Sequence, residues 1–308
     1  MWFRNARVFR FTKPFDISAE ELEEKLSADA FKPCGPQETA RQGWVPPLGK
    51  HGELLVHSAN DYHLIALRKE EKILPGPVIK DAVEDKAEAI EIEEGRKVRR
   101  KEKEEIKEQV MLEMLPQAFS RNRRCFAYLA PKDGVLVVDA GSAKQAEDLA
   151  STLRTSLGSL PVRPPALEQS PIFTFTGWLN ETIDLPGAVV LGDECELKDP
   201  AEDGGVVRCK GLNLKADEIR NHLEAGMEVT KLALTWDDNV SFVLDEEMGI
   251  RRLKFGETLQ DQLDDVDVDD AVAKFDAAFT LMTLELSKLI PGLLEAMGGE
   301  DRSAIVEE

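Results

Sequence analysis

Between Pro77 and Leu115 the chain carries helical periodicity with almost nothing to bury. Ile79, Val83 and Ile90 mark one helix, Glu94-Gly95 breaks it, and a second helix from about Lys97 to Leu115 carries Val98, Ile106 and Val110. Two helices this polar, joined by a tight turn, can close only a thin seam against each other. They therefore form a hairpin that projects as a finger instead of packing into a core. Whatever core the protein has must be built from the residues on either side. Low apolar content also predicts mobility at the hairpin's tip. The turn and second arm hold Arg96, Lys97, Arg99, Arg100, Lys101, Lys103 and Lys107, the densest basic cluster in the sequence.

The flanking residues read as short strands with packing helices. Residues 2–11 alternate as a strand, with Phe3, Phe9 and Phe11 on one face and Arg4 and Arg10 on the other. Ser18 and Glu21 form a capping box before Leu22 and Leu26. Residues 31–36 and 43–49 are turn-rich and read as loop, and 61–68 as a second strand. Pro116 ends the hairpin. Phe119 then sits in a basic loop with Arg121, Arg123 and Arg124, either tucked into its own core or offered to a partner. Residues 125–130 and 134–139 form a β-hairpin, and Ser142 caps a helix to about Leu157.

Gly158 to Pro161 and the prolines at 164, 165 and 171 mark a domain boundary. Beyond it, strands are expected at 172–178, 188–191, 194–198 and 205–210, followed by a helix at 216–225. A meander follows at 229–236, 240–245 and 250–255; Lys231 lies on its first strand, and Ile250, Arg252 and Lys254 share a face of its last. Val272, Phe275, Phe279, Met282, Leu286, Leu289 and Leu293 then alternate at three and four residues, a 3.5 repeat that Pro291 kinks or ends. The fold class is α+β, with mixed antiparallel sheets, packing helices and a projecting helical hairpin. Its domains are 1–76 with 116–160, the finger 77–115, and 161–308.

Net charge is -20, which on its own argues against a nucleic-acid partner. The distribution argues otherwise. Arg4, Arg7, Arg10 and Lys13 face no acid within residues 1–15, and Arg121, Arg123, Arg124 and Lys132 none within 117–132. The acids concentrate in 181–203 and 255–308. A chain so segregated can have one basic face and an acidic outside, although a basic run is equally a solvated surface.

Other chemistries find little support. Asp265 to Asp270 with Asp276 resembles a calcium loop, but aspartates stand where Gly sixth and Glu twelfth are required; the run reads as a helix start that favours acids. His51, His57, His63 and His222 lack ligand spacing. No phosphate-binding glycine loop, dinucleotide fingerprint or GxSxG elbow occurs. Cys34, Cys125, Cys195 and Cys209 are scattered, as buried reduced thiols are. No apolar run approaches the ~20 residues of a membrane span, and no signal peptide is evident. The expectation is a cytoplasmic protein with no catalytic residues, metal, cofactor or membrane contact.

Several strings in order give a resemblance: Phe31-Lys32-Pro33-Cys34-Gly35, Gly43-Trp44-Val45-Pro46-Pro47, Arg68 to Pro75, Leu115 to Arg121, Leu157 to Val162, Asn221 to Gly226, Val229 to Leu234, and Phe275-Asp276-Ala277 with Phe279, Leu281, Met282 and Thr283. Together they resemble the bacterial recombination-associated RdgC family over nearly the whole chain. The resemblance implies a horseshoe-shaped subunit that closes into a homodimeric ring. DNA, single- or double-stranded and without sequence preference, passes through a positively charged hole. It also implies restraint of RecA-mediated recombination, nucleoid association, a DNA-touching finger, a role for Phe119 at a subunit contact, and a basic lining in which Lys210 keeps its charge. A metal-dependent nuclease and an acidic protein-binding adaptor are the alternatives from other classes.

Overall fold

The computed structural model describes residues 1–264, 271–303 and 305. In chain order, the first elements are β1 (Arg7–Phe11), α1 (Ala19–Ala28), β2 (Ala40–Val45), β3 (Val56–Ala59) and β4 (Tyr62–Lys72). Next come α2 (Gly76–Glu94), α3 (Arg100–Met114), β5 (Ser120–Ala130), β6 (Val135–Val138), α4 (Ala143–Leu157) and β7 (Val162–Arg163). The remainder is α5 (Pro171–Leu179), β8 (Val189–Lys198), β9 (Val206–Lys210), α6 (Asp217–Glu224), β10 (Glu228–Trp236), β11 (Val240–Asp245), β12 (Ile250–Phe255), α7 (Glu257–Asp264) and α8 (Ala271–Ala296). The protein is mixed α+β with antiparallel sheets and packing helices. One sheet has the order β2-β4-β5-β6-β1-β7 with β3 added to β4, and the other β12-β11-β10-β8-β9.

Contacts divide the chain into two compact units. One comprises residues 1–28, 46–66 and 125–308; the other comprises 29–45 and 67–124. In the first, α8 turns Phe279, Met282, Leu286, Leu289 and Leu293 into a core shared with Phe3, Tyr128, Phe175 and Trp178. The 3.5 repeat is thus a core stripe, and the helix runs through Pro291 to Ala296. By length and composition α8 could cross a membrane, contrary to the sequence reading, but 56% of its most apolar window is buried within the protein. Burial of that face accounts for its apolarity. Two ion pairs tie the chain's start inward: Arg7 Nη2 lies 2.7 Å from Asp245 Oδ2 and Arg10 Nη2 2.8 Å from Glu300 Oε2, all four side chains nearly buried.

Residues 171–179 form a helix, where a strand was expected at 172–178. Pro171, Thr174, Phe175, Gly177, Trp178 and Leu179 are its buried positions; Pro171, Thr174, Phe175 and Trp178 have a helical spacing that outweighs the β-branched and aromatic composition. Gly177 fits because a Cβ there would stand 2.4 Å from Ile183 Cδ1. β8 is one strand with irregular register against β10, where two short strands were expected. Residues 43–45, the end of β2, and 120–124 are strand, where loop was expected. In β12, Arg252 has φ +53 and the pairing with β11 slips between Ser241 and Val243. Ile250 therefore faces inward with Leu253 and Phe255, leaving Arg252 and Lys254 exposed, so the predicted three-residue face is broken. The acidic run 265–270 lies outside the described residues.

The second unit holds the helical hairpin. α2 and α3 close on Ile79, Val83, Ala87, Ile106 and Val110, the thin seam the sequence dictates. Gly95 ends α2 in the left-handed region at φ +63, and its amide donates to the Glu91 carbonyl.

Candidate nucleic-acid interface

The hairpin turn sorts its cations into two kinds. Arg96 is committed: its Nη1 and Nη2 donate to the two Glu102 carboxylate oxygens at 2.8 and 2.7 Å, and Glu94 approaches to 2.6 Å. Those partners raise the Arg96 pKa, and the same fork holds Glu102 below the usual carboxylate range. Lys97, Arg99, Lys101 and Lys103 are exposed and make no ion pair among the described residues. Arg100, with its side chain 96% exposed, has only Glu104 at 3.5 Å. A shallow concavity of about 370 Å³ runs beside them, with Ile79 and Val83 as its floor and Lys80, Arg100, Lys103 and Lys107 on its walls. Glu104 also lines it, against Arg100, while Lys103 and Lys107 make no ion pair among the described residues.

A second basic group lies on the strands that follow. Arg121, Arg123 and Arg124 are exposed on β5. Arg121 and Arg123 share a field with Lys69 and Glu71; the bond from Lys69 and those two guanidinium groups keep Glu71 below the usual range. On the other face Asn122 Oδ1 accepts from Arg68 Nε at 2.9 Å, and the Arg68 guanidinium sits 4.3 Å over the Phe31 ring. Phe119, just before β5, is 85% exposed, and its carbonyl accepts from the Ile73 amide at 2.8 Å. The backbone is fixed while the ring stands in solvent, so the core reading of Phe119 does not hold within one chain.

The third group belongs to the other unit. Lys210, Lys231 and Arg252 meet in a concavity of about 470 Å³, together with Arg208 and Arg251, around Glu194 and Glu196. Cross-strand register puts them there, Glu194 opposite Lys210 and Glu196 opposite Arg208. Glu196 holds Lys231 at 2.6 Å and Arg208 at 2.7 Å; Glu194 holds Arg252 at 2.6 Å, with Lys210 at 4.0 Å. Lys254 does not line this concavity. Sequence reasoning missed Arg208 and Arg251. Alternation of Arg208 with Lys210 along a strand opposite alternating Glu194 and Glu196 was the available signal for the first. Only the bulge at Arg252 brings in the second.

The sequence profile of one family, described as "Putative exonuclease, RdgC", matches residues 1–300. The chain is 52% identical over 303 residues to the recombination-associated protein RdgC of Aeromonas hydrophila subsp. hydrophila, covering 98% of this chain and all of that protein. It is similarly related to proteins of the same name from Tolumonas auensis, at 49% identity, and Psychromonas ingrahamii, at 47%, each covering 97% of this chain and 99% of the relative.

Proposed function

Because the chain belongs to the RdgC family of recombination-associated proteins, we propose that it binds single- and double-stranded DNA without sequence preference, encircles it as a homodimeric ring, and restrains RecA-mediated recombination by covering the DNA. The observation that carries this reading is the fingertip: Lys97, Arg99, Lys101 and Lys103 stand exposed and unpaired in a chain of net charge -20. Lys and Arg contacts to phosphate position a protein on DNA without reading sequence. Arg121, Arg123 and Arg124 extend that surface. Lys210, Lys231 and Arg252 supply a second one, with Lys254 beside it on β12. Phe119, exposed on a fixed backbone, is the contact with the second subunit. Encirclement lets modest phosphate attraction hold DNA, since release requires opening the ring or sliding off an end. The protein works by occupancy in the cytoplasm, on the nucleoid, with no cofactor and no reaction.

The nuclease alternative has its support in the family's description. A metal-dependent nuclease needs carboxylates converging on divalent cations. Among the described residues no group of three or more His, Cys, Asp or Glu side chains is placed to hold a metal; the acidic run 265–270 lies outside them. A mobility-shift assay with unrelated single- and double-stranded sequences at low salt, with and without magnesium, separates the readings. Comparable shifts of intact DNA support non-specific binding. Magnesium-dependent strand loss overturns the non-catalytic reading, and no shift at all overturns DNA binding and favours the adaptor.

A further inference from the structure

The sequence scatters four cysteines, but the fold sets two of them face to face. Cys195 on β8 and Cys209 on β9 are directly opposed register partners in an antiparallel pair. Both are unbridged and buried, at 2% and 8% exposure. Directly opposed residues of an antiparallel pair stand about 4.5–5.5 Å apart at Cα, inside the roughly 4.4–6.8 Å window a disulfide accepts. The partner thiols are therefore positioned without backbone rearrangement. β9 is the edge strand of its sheet and is five residues long, so local opening of that edge gives a reagent access to Cys209.

We propose that Cys195 and Cys209 form a reversible disulfide, with a low-molecular-weight disulfide as the oxidant. The Cys209 thiolate, the less buried, attacks one sulfur of the oxidant and expels one thiolate. The Cys195 thiolate then attacks the Cys209 sulfur of the mixed disulfide and expels nothing but the second thiolate. Two protein thiols are oxidised, one small disulfide is reduced to two thiols, and the protein's protons pass to them. Burial, first, and the neighbouring thiol push the Cys195 pKa up to about 12, so exchange is slow and paced by edge opening. The product ties β9 to β8 behind Arg208 and Lys210, whose side chains leave the opposite face of the strand toward Glu196 and Glu194.

The test incubates the full-length folded protein with oxidised glutathione at mildly alkaline pH, then alkylates and maps the thiols by mass spectrometry. The expected product has lost two hydrogens, carries a cross-link between the Cys195 and Cys209 peptides, and keeps Cys34 and Cys125 alkylatable; dithiothreitol restores all four thiols. Hydrogen exchange at Val206–Lys210 slows in the oxidised protein. Cys209→Ser gives no cross-link. The proposal is overturned when both thiols remain free while the protein stays folded, or when a glutathione adduct accumulates on Cys209 without resolving. A cross-link that forms only in urea overturns it as well.

Discussion

Replacing Arg99, Arg100, Lys101 and Lys103 together by Ala removes four of the five fingertip cations that lack a strong partner and leaves Lys97 in place. Each phosphate a protein neutralises on duplex DNA contributes about 0.9 to the slope of log K against log salt. If all four touch phosphate, the variant's slope is shallower by about 3.6; if Arg100 stays with Glu104, by about 2.7. Over a fourfold rise in salt, from about 50 to 200 mM, the native protein then loses roughly 40- to 150-fold more affinity than the variant. Fluorescence anisotropy of a labelled duplex across a salt series reads this directly. Arg96→Ala is the internal control. Its guanidinium is already neutralised by Glu102 and Glu94, so its slope should change by less than half of the ~0.9 that one free contact carries. An unchanged slope in the quadruple variant would refute the fingertip as a phosphate contact. A loss in Arg96→Ala as large as that of a free cation would refute the distinction between paired and unpaired charges.

Glu196→Gln releases Lys231 and Arg208, so DNA affinity at moderate salt should rise and the slope steepen by up to about 1.8; an unchanged slope would exclude that concavity from the interface. Phe119→Ala should leave the unfolding free energy of dilute subunits within about 0.5 kcal/mol, while sedimentation detects dimer association weakened by about 2 kcal/mol or more. Asp245→Ala strands the buried Arg7 and also removes the acceptor of Arg251 Nε and the Gly249 amide; urea titration should show a loss of about 3–5 kcal/mol. Burial raises the Asp139 pKa despite the amides of Asn5 and Arg4 that donate to it. Its stabilising contribution is therefore complete in strong acid and is lost as pH rises through the folded value. Asp139→Asn, which keeps an oxygen acceptor, should flatten that decline in acid-range thermal melts.

The elements legible in the sequence were those whose signal is local. Ser142 accepts from the Gln145 amide as the capping pattern requires, and the hairpin seam closes on Ile79, Val83, Ile106 and Val110. Misreadings fell where tertiary context overrides pattern. Residues 171–179 look like a strand by composition and are a helix because their burial has helical spacing. Ile250 leaves the face expected of it, Arg252 and Lys254 because the irregularity at Arg252, in the pairing with β11, rotates the strand. Cys195 and Cys209 are fourteen positions apart and meet only through register, which neither residue announces.

Charge shows the same limit from the functional side. Arg4, Arg7, Arg10 and Lys13 form an acid-free run, but Arg7 and Arg10 are spent on Asp245 and Glu300 in the interior. The acids that pair with cations come from distant positions, so a local tally overstates the available positive surface. The fingertip is different because two of its acids, Glu94 and Glu102, both converge on Arg96, while Glu104 stands against Arg100. That convergence leaves Lys97, Arg99, Lys101 and Lys103 without a strong counterion inside a mixed cluster. An acidic protein can thus keep a basic interface by concentrating neutralisation on one arginine. On the proposed reading, the quantity that decides DNA affinity is the number of cations whose partners are solvent, and a net charge of -20 sets only the long-range repulsion against which they act.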